Sequence, residues 1–208
     1  MTQARQDKAA PEAAAPQHRG NRWRRSEHAR QAVLEAADDL LAARGFAGVT
    51  IEGIAAAAGV AKQTIYRWWS SKTDILMDAL LQDAAEQLTP ADHADLAENL
   101  RDQLSRVAAF LTRSDEGAVC RALIGQAQHD PAFAADFRAR FLSEQRERDR
   151  LPLDRAIARG QLPAGTDVLS DVDELLGPIY YRALVTGEPV DRQFTDRLVD
   201  HYLRRLAP

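Results

Sequence analysis

Between Lys62 and Lys72 the chain sets out Lys62, Gln63, Thr64, Tyr66, Arg67, Trp68 and Lys72 in a single short run. None of these is an activated nucleophile or a paired general base. They are hydrogen-bond donors and acceptors interleaved with amphipathic rings, the set that touches phosphates and base edges. The Gln63 amide can pair with two atoms of an adenine edge, and the Thr64 methyl suits thymine. The Arg67 guanidinium can fork onto guanine or hold a backbone oxygen. Trp68 has two readings open to it, an edge contact with the sugar-phosphate chain and a structural role.

The elements that position these groups follow from spacing. Ile65 and Trp69 fall four residues apart, so a helix through them turns both to the core and leaves the polar residues to its other faces. Upstream, Thr50 is placed to cap a short helix whose first turn holds Glu52 and whose buried side carries Ile51, Ile54, Ala55 and Ala58. Gly59 stands at the corner between the two helices, where a residue without Cβ reaches left-handed backbone at little cost. Two short helices around such a corner predict a helix-turn-helix, with the second helix in a major groove and Gln63 and Thr64 near its start as the base readers.

The stretch from Ser26 to Leu76 resembles the N-terminal domain of TetR-type transcriptional regulators. The matching residues are Val33, Leu34, Ala36, Ala37 and Leu40, then Gly45 and Phe46, Thr50, Ile54 and Ala55, the Ala58-Gly59-Val60 corner, Ile65 and Tyr66, and Ser70-Ser71-Lys72 before Leu76. GPIYYRALVTGEP, from Gly177 to Pro189, resembles the C-terminal domain of one subgroup. One departure is Ala61, where the family usually has Ser or Thr as a cap; losing a cap side chain costs about 1 kcal/mol. The resemblance implies that Tyr66 and Lys72 hold phosphate, that the protein works as a homodimer on a double-stranded DNA operator, and that the body carries a small-molecule pocket.

Charge is distributed accordingly. The net charge is -4 overall, yet residues 19–72 carry nine Lys and Arg against five Asp and Glu, while residues 73–208 carry 16 against 24. Positive potential thus concentrates on the segment that reads DNA. Ahead of it, residues 1–25 lack periodicity and are expected to stay disordered, with Arg22, Arg24 and Arg25 either reaching a minor groove or phosphates or remaining a solvated basic tail. One cysteine, Cys120, excludes an intrachain disulfide and has no CxxC partner. The five histidines show no metal-ligand spacing, and no phosphate loop or nucleophile elbow occurs, so neither a metal, a cofactor nor catalysis is expected. The absence of a secretory signal or long apolar run predicts a cytoplasmic chain with no membrane contact.

The fold expected is all-α, a three-helix helix-turn-helix domain over residues 26–72 and a larger helical bundle over 73–208, about nine helices in total. Ser26 is placed to cap the first helix, which Gly45 ends. Ser71 and Asp74 form a capping-box pattern for the fourth, Thr89 and Pro90 mark a fifth, Ser114 caps a sixth, and Asp130-Pro131 opens a seventh that Pro152 should kink or split. Candidate pocket residues are Phe110, Leu123, Phe137, Phe141 and Tyr180, each also readable as plain core. A C-terminal hairpin carrying Ile179, Ala183, Leu198 and Tyr202 is expected to form a four-helix dimer interface, the alternative being an intrachain core. Two other functions stay open: a constitutive DNA-binding module whose body binds a protein or nothing, and a small helical enzyme with an attached reader.

Overall fold

The computed structural model describes the backbone of residues 18–206 and the side chains of residues 24–206. Residues 1–17 and the Arg22 side chain lie outside the described residues. The described chain is all-α, with nine helices and no strand. α1 is His18–Gly48, α2 Ile51–Ala57, α3 Lys62–Ile65, α4 Lys72–Gln87, α5 Leu96–Arg113 and α6 Asp115–Ala127. α7 covers 131–158, in which Pro131–Phe137 and Ser143–Ala158 are joined by a π-turn at Arg138–Leu142. α8 covers 168–186 and ends in a second π-turn, Arg182–Thr186; α9 is Arg192–Leu206.

α1 buries Val33, Leu34, Ala37, Leu40 and Leu41, a stripe at three- and four-residue spacing. It begins well before Ser26, which lies inside the helix and caps nothing. Serine is only mildly unfavourable in a helix interior, and the Arg-rich residues before it are good helix formers, so the helix continues upstream. Gly45, at φ 64, then breaks the helical path.

Most later boundaries are set by caps. Asp74 N–H donates to Ser71 Oγ at 3.1 Å and Ser71 N–H donates back to Asp74 Oδ2 at 3.1 Å, a complete capping box for α4. Ser114 caps α6 through the Gly117 amide, and Asp130 caps α7 ahead of Pro131. α5 starts later than Thr89-Pro90 implies. Its cap is Asp95, while the Thr89 hydroxyl donates to Ala85 at the end of α4. Asn99 explains the shift, because its side chain accepts from His93 N–H and donates to the carbonyls of His93 and Asp95, tying residues 93–95 down as a loop. α7 runs through Pro152 without splitting; a proline removes one backbone donor, and here the flanking turns and the buried ring keep the path.

The junction between reader and body is made by α1, α4 and α6. α5 and α6 meet so closely that a Cβ on Gly117 would lie 1.7 Å from the Phe110 carbonyl oxygen. Cys120 is buried in this layer, and burial pushes its thiol up to about 12. At the edge of the junction a cavity of about 220 Å³ is lined by Asp38 and Glu35 of α1, Asp83 of α4, and Asp115 and Glu116 of α6. α9 packs on α5 and α8, with the Tyr202 hydroxyl donating to Asp171 Oδ2 at 2.8 Å inside that seam. No described helix is long and apolar enough to cross a membrane.

Candidate nucleic-acid interface

The reader is built from the corner outward. Thr50 Oγ1 accepts from Gly53 N–H at 3.0 Å and starts α2. Ile54 and Ala55 are buried, and Gly59 takes φ 66 at the turn. α3 then begins at Ala61 with no side-chain cap bond. Its Ile65 is wholly buried and Trp69, just beyond it, is 3 % exposed, as the four-residue spacing predicts. That fixes the opposite side: Lys62, Gln63, Tyr66 and Arg67 are exposed and Thr64 is half-buried.

These exposed groups are not equally free. Lys62 Nζ lies 2.7 Å from Glu52 Oε1, and this contact lowers the Glu52 carboxyl and raises the Lys62 ammonium from their ordinary values. Trp68 is half-buried, its ring edge-on to Trp69 at 5.4 Å, with the Arg67 guanidinium 5.4 Å from its centroid. Lys72 differs most from a simple phosphate hook. Its ammonium donates to the carbonyls of Phe46 at 2.7 Å and Val49 at 3.0 Å and sits 4.3 Å from the centre of the Phe46 ring. An ammonium has three donors, so one remains for an anion. Arg24 and Arg25 are exposed along the first turns of α1, as parts of a helix rather than a loose arm.

The seat of Trp69 was not legible in the sequence. Its indole N–H donates to Asp78 Oδ2 at 2.8 Å, and Arg30 of α1 reaches the same oxygen at 3.1 Å. Asp78 falls on the α4 face turned toward α1, and only the three-dimensional approach of those helices reveals its partners.

In the body, a cavity of about 350 Å³ is walled by Phe137, Phe141, Leu142, Tyr180 and Leu184, with Arg138 and Gln128 also at its wall. A second, of about 310 Å³, shares Leu142 and Tyr180 and is lined further by Arg146, Asp149 and Leu176. Both π-turns thus border the first cavity. Phe137, Phe141 and Tyr180 line one cavity together, whereas Phe110 and Leu123 are core residues that line neither. Their periodicity marked them as buried but could not say which side of the helix faced a void. Asp149 is the polar residue that sequence reasoning missed. It is buried, accepts from Gln145 at 2.8 Å, and is pushed up to about 6 by that burial. Gln145 and Asp149 continue the four-residue ladder of Phe133, Phe137 and Phe141, and polar residues on a buried stripe are the available signal. A larger groove, about 500 Å³, lies beside Arg113, Arg121 and Arg182, but Arg113 and Arg182 donate to the Val190 and Pro189 carbonyls of the loop before α9, and Arg121 donates to the Leu111 carbonyl of α5.

The hairpin α8–α9 corrects two expected interface residues. Ile179 and Tyr202 are buried within the chain, at 0 % and 1 % exposure, and are unavailable to a partner. Ala183 and Leu198 are half-buried; α8 exposes Leu169 near its start and Tyr181, Leu184 and Val185 together at its end. A helical stripe reports that a face is covered, not whether the cover comes from the same chain.

An α-helical reader with an outward polar recognition element, joined through one long helix to a larger helical body, is the architecture of a DNA-binding regulator. Residues 33–79 match the model for bacterial regulatory proteins of the tetR family, and residues 90–202 match the tetracyclin repressor-like C-terminal domain. The chain belongs to the TetR family and is a DNA-binding transcriptional regulator. It is 38 % identical over 175 residues to the protein named Uncharacterized HTH-type transcriptional regulator YdeS of Bacillus subtilis (strain 168), covering 84 % of this chain and 88 % of the relative. It is 30 % identical over 186 residues to the DNA-binding transcriptional repressor TetR of Mycobacteroides abscessus, covering 86 % and 94 %. Among solved structures it resembles the TetR family transcription regulator SCO0332 at TM-score 0.74 and 34 % identity, over 87 % of this chain and 100 % of that one.

Proposed function

We propose that the protein is a homodimeric repressor that leaves a partly palindromic operator when a small molecule occupies the body. The observation that carries the DNA side is the partition of the recognition element. Ile65 and Trp69 are sealed in the core while Gln63, Tyr66 and Arg67 stand outside it. In this reading Gln63 and Thr64 read base edges, Tyr66 and Lys62 bind backbone, Arg67 does either, and Lys72 offers its third donor to a phosphate. Thr50 and Trp68 border the contact, and Arg22, Arg24 and Arg25 extend it.

The exposed Tyr181, Leu184 and Val185 support a twofold interface on α8, with Ala183 and Leu198 beside it. The cavity behind Tyr180 supports ligand release, since its walls are largely apolar and the turn that forms one wall also faces α4. A ligand shifts the molecule only by binding one spacing of the two readers better than the other. The test is a footprint on the DNA upstream of the chain's own gene, repeated with a panel of metabolites. Protection lifted by one compound is the expected result; protection that no compound lifts would favour constitutive binding.

A further inference from the structure

Asp78 stands where three parts of the molecule meet. Oδ2 accepts from the Trp69 indole at 2.8 Å and from Arg30 Nη2 at 3.1 Å, while Oδ1 accepts from Arg140 Nη2 at 2.6 Å. One oxygen therefore serves the reader and the other serves the π-turn Arg138–Leu142. From that geometry we infer that Asp78 is a positioning residue that couples the cavity wall to the seat of the recognition element. The inference rests on the ligand-responsive reading above and specifies how that response reaches the reader.

Trp69 anchors the reader's end of this link. A buried indole has one donor and needs an acceptor, and Asp78 is the one it has. Arg30 lies 5.7 Å from the Trp69 ring centroid and binds the same oxygen, so the carboxylate aligns both groups. Arg140 holds the other oxygen and is itself braced by Asp136 at 3.2 Å. A carboxylate gripped on both oxygens cannot rotate; freed of Arg140, it is held through Oδ2 alone and pivots about that atom, which loosens its alignment with the indole and Arg30. Arg138 and Phe141 belong to the same five-residue turn as Arg140 and line the cavity. Whatever fills the cavity bears on that turn, and the turn bears on Asp78. The set is only partly exposed, at 24 % for Asp78 and 34 % for Arg140, so solvent screens it incompletely.

The experiment needs no effector. A duplex is selected from a random-sequence library with the full-length chain, and its affinity and that of a scrambled duplex are measured for wild type, Arg140→Gln, Asp78→Asn and the double variant. Arg140→Gln is expected to weaken the selected duplex by about fivefold or more. The scrambled duplex should change by less than about twofold, because Arg140 lies in the body and a structural loss alone does not lower specificity. In the Asp78→Asn background the added Arg140→Gln change should be nearly silent. If Asp78→Asn does not fold by circular dichroism, Trp69→Phe replaces it in the cycle. As a second readout, duplex should alter amide exchange at residues 138–142 in wild type and not in the variant that breaks the link. Full multiplicative effects, or an unaltered selected-duplex affinity for Arg140→Gln, would overturn the coupling alone. Failure to select any duplex would overturn the DNA reading and the coupling with it.

Discussion

The Lys72 ammonium lies 2.7 Å from the Phe46 carbonyl oxygen, so the first residue of α4 ties down the end of α1. With Val49 O at 3.0 Å, it satisfies two carbonyls at the point where the chain turns from α1 into α2. Charge-assisted bonds of this kind contribute about 1.5–3 kcal/mol each before screening. Lys72→Met is therefore expected to lower unfolding stability by about 1–3 kcal/mol in urea denaturation, besides reducing the slope of log affinity against log salt by about one. An unchanged denaturation midpoint would mean that the two carbonyls are equally well served by water.

Gln63 is exposed on the outer side of the recognition element and makes no side-chain bond to the protein among the described residues. Gln63→Ala should cost roughly 1–3 kcal/mol at one operator position and relax preference there. Affinities for a set of single-base operator variants measure this; a uniform loss across the set would remove Gln63 from the base readers.

The cavity between α1, α4 and α6 predicts a pH response. Asp38 Oδ1 and Asp83 Oδ2 are buried without a hydrogen-bond partner. Burial, then the nearby Asp83 and Glu116, pushes Asp38 up to about 7, while burial and Glu116 push Asp83 up to about 6. In the unfolded chain both sit near the ordinary aspartate value of about 3.9. The folded protein therefore keeps protons that the unfolded chain has released, and stability falls as pH rises from about 4 and levels off once pH passes the folded values of about 6 and about 7. Asp38→Asn removes the charge and should flatten thermal stability between about pH 5 and 8. At the alkaline end it should gain about 1 kcal/mol, roughly 2–4 °C at this chain length. Melting curves across that range check it, and a wild-type profile already flat would refute the shared burial of the two acids.

Val185 is 68 % exposed and Tyr181 58 %, on the same end of α8. A charge placed in a twofold apolar interface is met twice, once from each protomer. Val185→Asp should weaken self-association by about 3 kcal/mol, more than 100-fold. Sedimentation velocity over a concentration series reads this directly; a variant as dimeric as wild type would move the interface elsewhere.

Much of the reader, and several helix starts in the body, were legible because their signals are local. Thr50, Ser71 with Asp74, Ser114 and Asp130 each cap the helix that their position announces, and Ile65 and Trp69 bury together because a helix brings fourth neighbours to one side. Signals that depend on distant partners were not readable. Thr89-Pro90 marks an entry to α5, but the helix starts at the Asp95 cap because Asn99 folds back on His93. The π-turns leave no mark in the residue pattern, yet they shape the cavity and aim Arg140 at Asp78. Ile179 and Tyr202 show the limit of periodicity, since it measured how apolar each face is and was silent on which surface would cover it.

Cys120 carries one last implication. The chain's single sulfur nucleophile is sealed between helices and held protonated far above neutral pH. Maleimide and spin-label reagents should therefore pass it by, and a cysteine introduced at Gln63 or Val185 would be modified alone. Distances between paired subunits, or from protein to duplex, become measurable by fluorescence transfer or electron resonance on an otherwise native background.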